Sequence, residues 1–168
     1  MAGVPNNIVV GPATLKINGT DVGFTQGGVS LRKSNEFVDV DADQLAGVAR
    51  KVQTFERMFL TTTMLEAVIN NMRDVMNEPA GNKRSGSHLD FGHSSPAAQE
   101  YELTVIGDAP LVGSLTVRTY VFYRAVSVDE VEHLIGSRDA PSVLPVGFEL
   151  LKDTDHDSKF GYFIDSVS

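Results

Sequence analysis

Residues 115–128 read LTVRTYVFYRAVSV. Side chains that are β-branched or aromatic dominate this run, and both classes favour extended strands. At about 3.3 Å per residue, a strand of this length would span about 46 Å, which is unusually long. We therefore predict a mainly β protein that contains one long strand at residues 115–128.

One face of this predicted strand combines aromatic rings with guanidinium groups. Successive side chains of a strand point to opposite faces, so this face carries Arg118, Tyr120, Phe122 and Arg124. A solvated face does not usually carry Tyr and Phe beside Arg, whereas protein–protein interfaces are enriched in all three. The pattern predicts a subunit interface, and the alternative is a strand sandwiched inside its own domain.

Further strand-like segments lie on both sides of the long strand. They lie at residues 14–18, 29–33, 36–43, 48–63, 101–105, 143–151 and 159–164. Asn18-Gly19 is a strong turn signal after the first of them. Residues 1–12 contain two prolines and two asparagines and are predicted to form an extended arm.

One helix is predicted between Thr61 and Met76. Thr63 and Glu66 have the spacing of a capping box, in which both side chains satisfy exposed amides of the first turn. An apolar stripe at helical spacing follows, and Pro79 ends the run. The stripe consists of Met64, Leu65, Val68, Ile69, Met72, Val75 and Met76, with Asn70, Asn71, Arg73 and Asp74 on the other side.

These elements predict a mainly β fold with one α-helix, in which a β-sandwich or barrel packs against the helix. The chain has 168 residues, which suits a single domain at residues 13–168. Residues 77–99 are rich in Gly, Ser, Pro and Asn, so we expect a long flexible loop there.

Residues 36–43 place valines and acids on opposite faces of one strand. Val38 and Val40 share a face that we expect to be buried. Asp39 and Asp41 share the other face, and Asp43 continues it. Unpaired carboxylates are costly to bury, so the acidic face should be wet.

Composition excludes several classes of function. The formal net charge is −8, with 14 basic and 22 acidic side chains, and tight nucleic-acid binding depends on Lys and Arg. The chain has no cysteine, which excludes disulfides and thiolate metal sites. Neither a signal peptide nor an apolar run of about 20 residues occurs, so we expect synthesis in a cytoplasm and no membrane partner.

No catalytic motif occurs in the sequence, and we expect neither an enzyme nor a cofactor. His88-Leu-Asp-Phe-Gly-His93 could hold a divalent ion, although imidazoles in polar loops are usually solvated. Asp153, Asp155 and Asp157 match the first ligands of a calcium loop, but the required Gly and Glu that follow are missing. We therefore predict no metal site.

The order of segments in residues 10–76 resembles the major tail tube proteins of long-tailed phages. The resemblance is carried by Ala13-Thr-Leu-Lys-Ile-Asn-Gly-Thr-Asp-Val-Gly23, by Gly27-Gly-Val-Ser-Leu31, by Val38-Asp-Val-Asp41, by the charged strand at residues 50–57 and by the predicted helix at 61–76. It implies a small β-sandwich related to the tubes of contractile tails and type VI secretion.

The resemblance also implies a function. Six copies would form a ring whose inner strands join one continuous barrel, and stacked rings would form a tube in the tail of a virion. Expected partners are further copies, a tape measure protein, baseplate and terminator proteins, and viral DNA that passes without specific binding. Asp39, Asp41 and Asp43 would line the lumen and repel phosphates. The alternatives are a tail terminator or baseplate ring protein, or a stand-alone β-sandwich binding module.

Overall fold

The computed structural model describes residues 12–41, 48–85, 87–92, 97–112, 114–128, 130–133 and 143–167. Within these ranges the chain is mainly β with one α-helix, which confirms the predicted fold class. The strands are β1 Thr14–Ile17, β2 Thr20–Asp21, β3 Thr25–Asp41, β4 Val48–Met64, β5 Lys83–Ser85, β6 His88–Leu89, β7 Tyr101–Val112, β8 Leu115–Ser127, β9 Leu144–Leu151 and β10 Gly161–Ser166. The helix, α1, is Ile69–Val75.

Eight strands form one antiparallel sheet in the order β2-β1-β7-β8-β9-β4-β3, with β10 also paired to β8. The long strand β8 has two partners along one edge: β10 pairs with Val117–Phe122, and β9 pairs with Arg124–Ser127. The sheet therefore branches at β8. The predicted strand at 115–128 is confirmed to within one residue.

The hydrophobic core contains residues from both halves of the eight-stranded sheet. β1, β7 and β8 contribute one side of it, and β4 and β9 contribute the other. Its most buried members are Leu15, Leu60, Met64, Leu103, Leu144, Phe148 and Leu150. Two layers of strands pack around this core, which is the sandwich-like packing that the alternating segments predicted.

The predicted helix boundary was wrong. At the end of β4, Thr61, Thr63 and Met64 pair with β3 on one side and β9 on the other, and Thr62 pairs with β9. These ladder bonds use the backbone groups that a helix would need, so tertiary pairing overrides the capping-box pattern. The helix starts after Val68, whose side chain makes no capping bond.

Two polar residues expected on the outer side of the helix are buried instead. The Asn71 amide donates to the carbonyl oxygens of Val22 and Glu66, both at 2.8 Å. Asp74 accepts a hydrogen bond of 2.7 Å from Nε of Arg73, and burial raises the pKa of its carboxyl. The bond from Asn71 to Val22 joins α1 to the turn after β2, and a helical pattern does not encode it.

Residues 77–99 contain more structure than the predicted loop. A single 3₁₀ turn at Ala80–Asn82 leads into the hairpin of β5 and β6. Glu78 is buried and accepts hydrogen bonds from Asn82 Nδ2 at 2.7 Å and from the Gly92 amide at 2.8 Å. Where the structure describes the chain, no helix has the length and apolar character that crossing a membrane requires.

Candidate assembly surface

The outer half of the β3–β4 hairpin projects beyond the sheet. β9 pairs with β4 only from Met58 to Met64, so residues 34–41 of β3 and 48–57 of β4 pair only with each other. We call these residues the ribbon. Its described side chains are all exposed except Glu56, which is half-buried. A two-stranded ribbon alone is at best marginally stable in water.

The ribbon exposes large apolar side chains on both faces. Their fractional exposure lies between 37% and 54%, and they are Phe37, Val38, Val40, Val52 and Phe55. Soluble monomers rarely expose contiguous apolar surface of this kind unless it binds something. The ribbon is therefore the part of the described chain that most clearly lacks a packing partner.

The alternation predicted for residues 36–43 is confirmed for residues 36–40, whose side chains the structure describes. The expected burial of the valine face is not confirmed. Val38 lies opposite Val52, and Asp39 lies opposite Lys51. Val38 and Val40 are exposed because no element of the described chain covers the ribbon.

The three candidate lumen acids differ in their surroundings. The Asp39 carboxylate accepts a hydrogen bond of 2.7 Å from Nζ of Lys51, so its charge is partly neutralised within the hairpin. Asp41 ends β3 opposite Val48, and Asp43 lies outside the described residues. The lumen position of these acids stays a prediction.

Glu56 joins the base of the ribbon to the sheet. Its carboxylate contacts Nζ of Lys33 at 2.8 Å and Nζ of Lys152 at 2.6 Å, and it accepts from Nε2 of Gln53 at 3.1 Å. The bonds from Lys152 and Lys33 lower the pKa of Glu56 to about 2. The carboxylate therefore stays charged at neutral pH and connects β3, β4 and the segment after β9.

An apolar groove of about 430 Å³ lies between β10 and the base of the ribbon. Its apolar and aromatic lining consists of Leu31, Met58, Tyr120, Phe122, Phe160, Tyr162 and Phe163. Lys33, Lys159 and Glu56 also line it. The groove is an opening of the core at the edge of the sheet.

Two strands that flank this groove each have one unpaired edge in the described part of the chain. β10 pairs only with β8, and β3 pairs only with β4. Along β10, Tyr162, Phe163 and Ile164 are between 50% and 58% exposed. An open edge with apolar side chains is a template for pairing with another chain.

Of the four candidate interface residues of β8, the two aromatic ones lie in the core or at its edge by the groove. Phe122 is only 4% exposed and belongs to the core of its own chain, as the alternative for this strand proposed. Tyr120 packs against that core and lines the groove. The side chain of Phe122 is thus unavailable to a partner, while Tyr120 can be reached through the groove.

Both arginines of this face are already paired. Arg118 donates to both carboxylate oxygens of Asp165, at 2.6 and 2.8 Å, and lies 4.8 Å from the ring centre of Phe163. The bond from Arg118 lowers the pKa of Asp165. Arg124 donates to both oxygens of Glu100 at 2.7 and 2.8 Å, which lowers the pKa of that carboxyl. Whether this face forms a subunit contact stays a prediction.

The two sequence clusters considered for metals are occupied by internal contacts. His88 Nε2 lies 3.0 Å from an Asp90 oxygen, and Arg84 Nε lies 2.6 Å from the other. His93 lies outside the described residues. Among residues with described positions, no three His, Cys, Asp or Glu side chains are grouped as metal ligands.

The aspartates at 153–157 form a capped turn. Asp153 accepts from the Asp155 amide at 3.1 Å and lies 2.7 Å from Nδ1 of His156. The bond from His156 lowers the pKa of Asp153. Asp157 pairs with Lys159 at 3.0 Å. Two of the three carboxylates therefore have partners within the turn.

Comparisons with known proteins give a likeness in fold. No protein-family model matches the sequence, and no curated protein matches it. A chain in the cryo-EM structure of the anti-feeding prophage baseplate, six-fold symmetrised, is similar with a TM-score of 0.50. The alignment covers 97% of each chain at 11% sequence identity. At this identity the likeness shows a shared fold and nothing finer.

Proposed function

We propose that this protein is a structural subunit of a phage-type tail, and that its role in the tail is to form the tube. The observation that supports this most directly is the ribbon, which exposes apolar side chains on both faces and has no partner in the described chain. A segment of this kind is stabilised when another subunit covers it. The likeness to a chain of a prophage baseplate adds support for a place in a tail assembly.

In the proposed tube, six copies form a ring and the rings stack. The unpaired edges of β3 and β10 would allow sheets of adjacent copies to join, which removes edges that would otherwise aggregate. A tape measure protein would fill the lumen during assembly, and DNA would pass later. The net charge of −8 suits a channel through which DNA passes without binding. The role is thus structural, without catalysis.

Electron microscopy of the purified protein tests this proposal. Concentrated protein should form hollow rings or tubes of uniform diameter, and light scattering should follow their growth. A stable monomer at every concentration and salt condition would contradict the proposal.

A shortened hairpin tests whether the ribbon drives assembly. Asn35 and Glu56 face each other in the ladder, so residues 36–55 can be replaced by a two-residue Asn-Gly turn. The core and the Glu56 contacts to Lys33 and Lys152 remain, so circular dichroism should still show a folded β protein. Rings and tubes should be absent. If the shortened protein assembles as the full chain does, the ribbon is not an assembly element.

A baseplate ring protein is the second candidate, because the similar structure comes from a baseplate. Copy number separates the two candidates. A tube subunit should be far more abundant in purified particles than a baseplate ring protein, and quantitative mass spectrometry measures that ratio.

A further inference from the structure

We propose that the open edge of β10 in one copy pairs with the outer part of β3, Glu36–Asp41, in a second copy, and that Phe37 of the second copy enters the apolar groove. This inference rests on the proposed function, since it names one subunit contact of the assembly. It goes further because it names the two strand edges that pair and the side chain that anchors the contact.

The two edges match in length and in availability. β10 contains 6 residues, and Glu36–Asp41 contains as many. Each strand has one ladder partner and one unpaired edge in the described chain. Addition of a strand to such an edge supplies backbone hydrogen bonds along its whole length, while side-chain pockets supply specificity.

The groove provides a pocket for an aromatic anchor. Phe163 and Tyr120 lie along it with ring centres 5.5 Å apart, and Leu31 and Met58 close its other side. Phe37 is 54% exposed on the ribbon, so its ring has little to pack against in its own chain. A groove of about 430 Å³ can hold a phenyl ring, which would bury apolar surface on both partners.

The other face of the proposed pair is also apolar on both strands. Side chains alternate, so Val38 and Val40 would lie on the face opposite Phe37, and Tyr162 and Ile164 would lie on the face opposite Phe163. All four side chains are exposed in the single chain. The pairing would therefore cover the valine face that no element of the described chain covers.

Charge favours the same partners. Lys33 and Lys152 share the single carboxylate of Glu56, so one positive charge at the base of the ribbon is not neutralised there. Asp39 lies on the same face as Phe37 and would approach these lysines. In this arrangement Asp39 lies against the neighbouring copy and not in a channel, so the inference and the lumen prediction exclude each other for this residue.

Engineered cysteines test the contact directly, because the chain has none of its own. Protein with Val38→Cys is mixed with protein with Ile164→Cys, assembled, and oxidised. When the two six-residue segments pair antiparallel over their full length, Val38 faces Ile164. Facing residues of paired strands lie about 4.5–5.5 Å apart, within the range of a disulfide, so an interchain heterodimer should form in high yield. Mixing Val68→Cys, 50% exposed before α1, with Ile164→Cys is the matched control and should give none.

Each other outcome of the crosslinking experiment overturns the inference. Assembly without the heterodimer rejects these edges and leaves the proposed function standing. Homodimers of Ile164→Cys in place of the heterodimer would show that two β10 edges pair with each other. Failure of the unsubstituted chain to assemble under any condition rejects the contact and the proposed function together.

Removal of the proposed anchor provides an independent test. Phe37→Ala should raise the concentration needed for assembly at least tenfold, while circular dichroism stays unchanged. Phe24→Ala is the control, because Phe24 is even more exposed, at 75%, and lies outside the ribbon. Equal effects of the two substitutions would overturn the anchoring role of Phe37.

Discussion

The inner and outer halves of the β3–β4 hairpin have the same backbone structure and opposite surroundings. In the inner half, Leu60 and Met64 lie in the core, and β9 completes the ladder. In the outer half, the ribbon, no third strand is present and the apolar side chains are exposed. The inner half contributes side chains to the core. The outer half has exposed apolar surface, which the contact with another copy that we propose would cover.

The largest effect that this comparison predicts is a difference in stability between two variants. One replaces a phenylalanine of the core, and the other replaces a phenylalanine of the ribbon. Phe148 of β9 is fully buried opposite Leu60, so Phe148→Ala should lower the free energy of unfolding by about 3–5 kcal/mol. Phe55 lies on the ribbon with Arg57 beside its ring, and Phe55→Ala should cost no more than about 1 kcal/mol. Urea unfolding of both variants measures the difference. Similar losses would mean that the ribbon packs within its own chain.

A pH-dependent effect is expected at the boundary between the halves. Glu56 has a pKa of about 2 in the folded chain, well below its usual 4.5, because Lys152 and Lys33 bond to its carboxylate. A lowered folded pKa stabilises the fold above the unfolded value and loses that contribution as pH falls from about 4.5 towards 2. Glu56→Gln should therefore be less stable by about 1–3 kcal/mol at pH 7.

Acid unfolding curves check this expectation. The stability difference between the parent chain and Glu56→Gln should shrink below pH 4.5 and vanish near pH 2. Glu36→Gln is a matched control, since Glu36 is an exposed carboxyl of the same hairpin. A pH-independent difference would indicate that Gln disturbs packing and that the lysine contacts contribute little.

The sequence predicted the elements whose structure depends on local side-chain pattern. The run of β-branched and aromatic residues at 115–128 is a strand because those side chains pack well on a pleated surface. Alternation also assigned Val38 and Asp39 to opposite faces correctly. It did not reveal that the valine face is uncovered, because alternation fixes which residues share a face and not what lies against it.

Features that depend on distant residues were missed for the same reason. Thr63 and Glu66 have capping-box spacing, yet β9, more than 80 residues further along the chain, pairs with Thr63 and keeps it in a strand. The Glu56 cluster joins Lys33, Gln53 and Lys152, and no local motif connects these positions. Phe122 was predicted to lie at an interface because of the neighbouring arginines, whereas the core that buries it contains residues from both halves of the sheet.

The smallest expected effect concerns Asp39, and it decides between two positions for the acidic face. Its pair with Lys51 is largely exposed, with side-chain exposures of 43% and 64%, so Asp39→Asn should change the free energy of unfolding by less than about 1 kcal/mol.

If Asp39 lies near Lys33 and Lys152 of a neighbouring copy, the substitution should also weaken assembly by a few-fold. High salt should reduce that difference, because salt screens exposed charges. If Asp39 lines a lumen, assembly should be unchanged and only the passage or binding of DNA should respond. Sedimentation of both proteins at low and high salt measures the first effect, and unchanged assembly at low salt would contradict the proposed contact at Asp39.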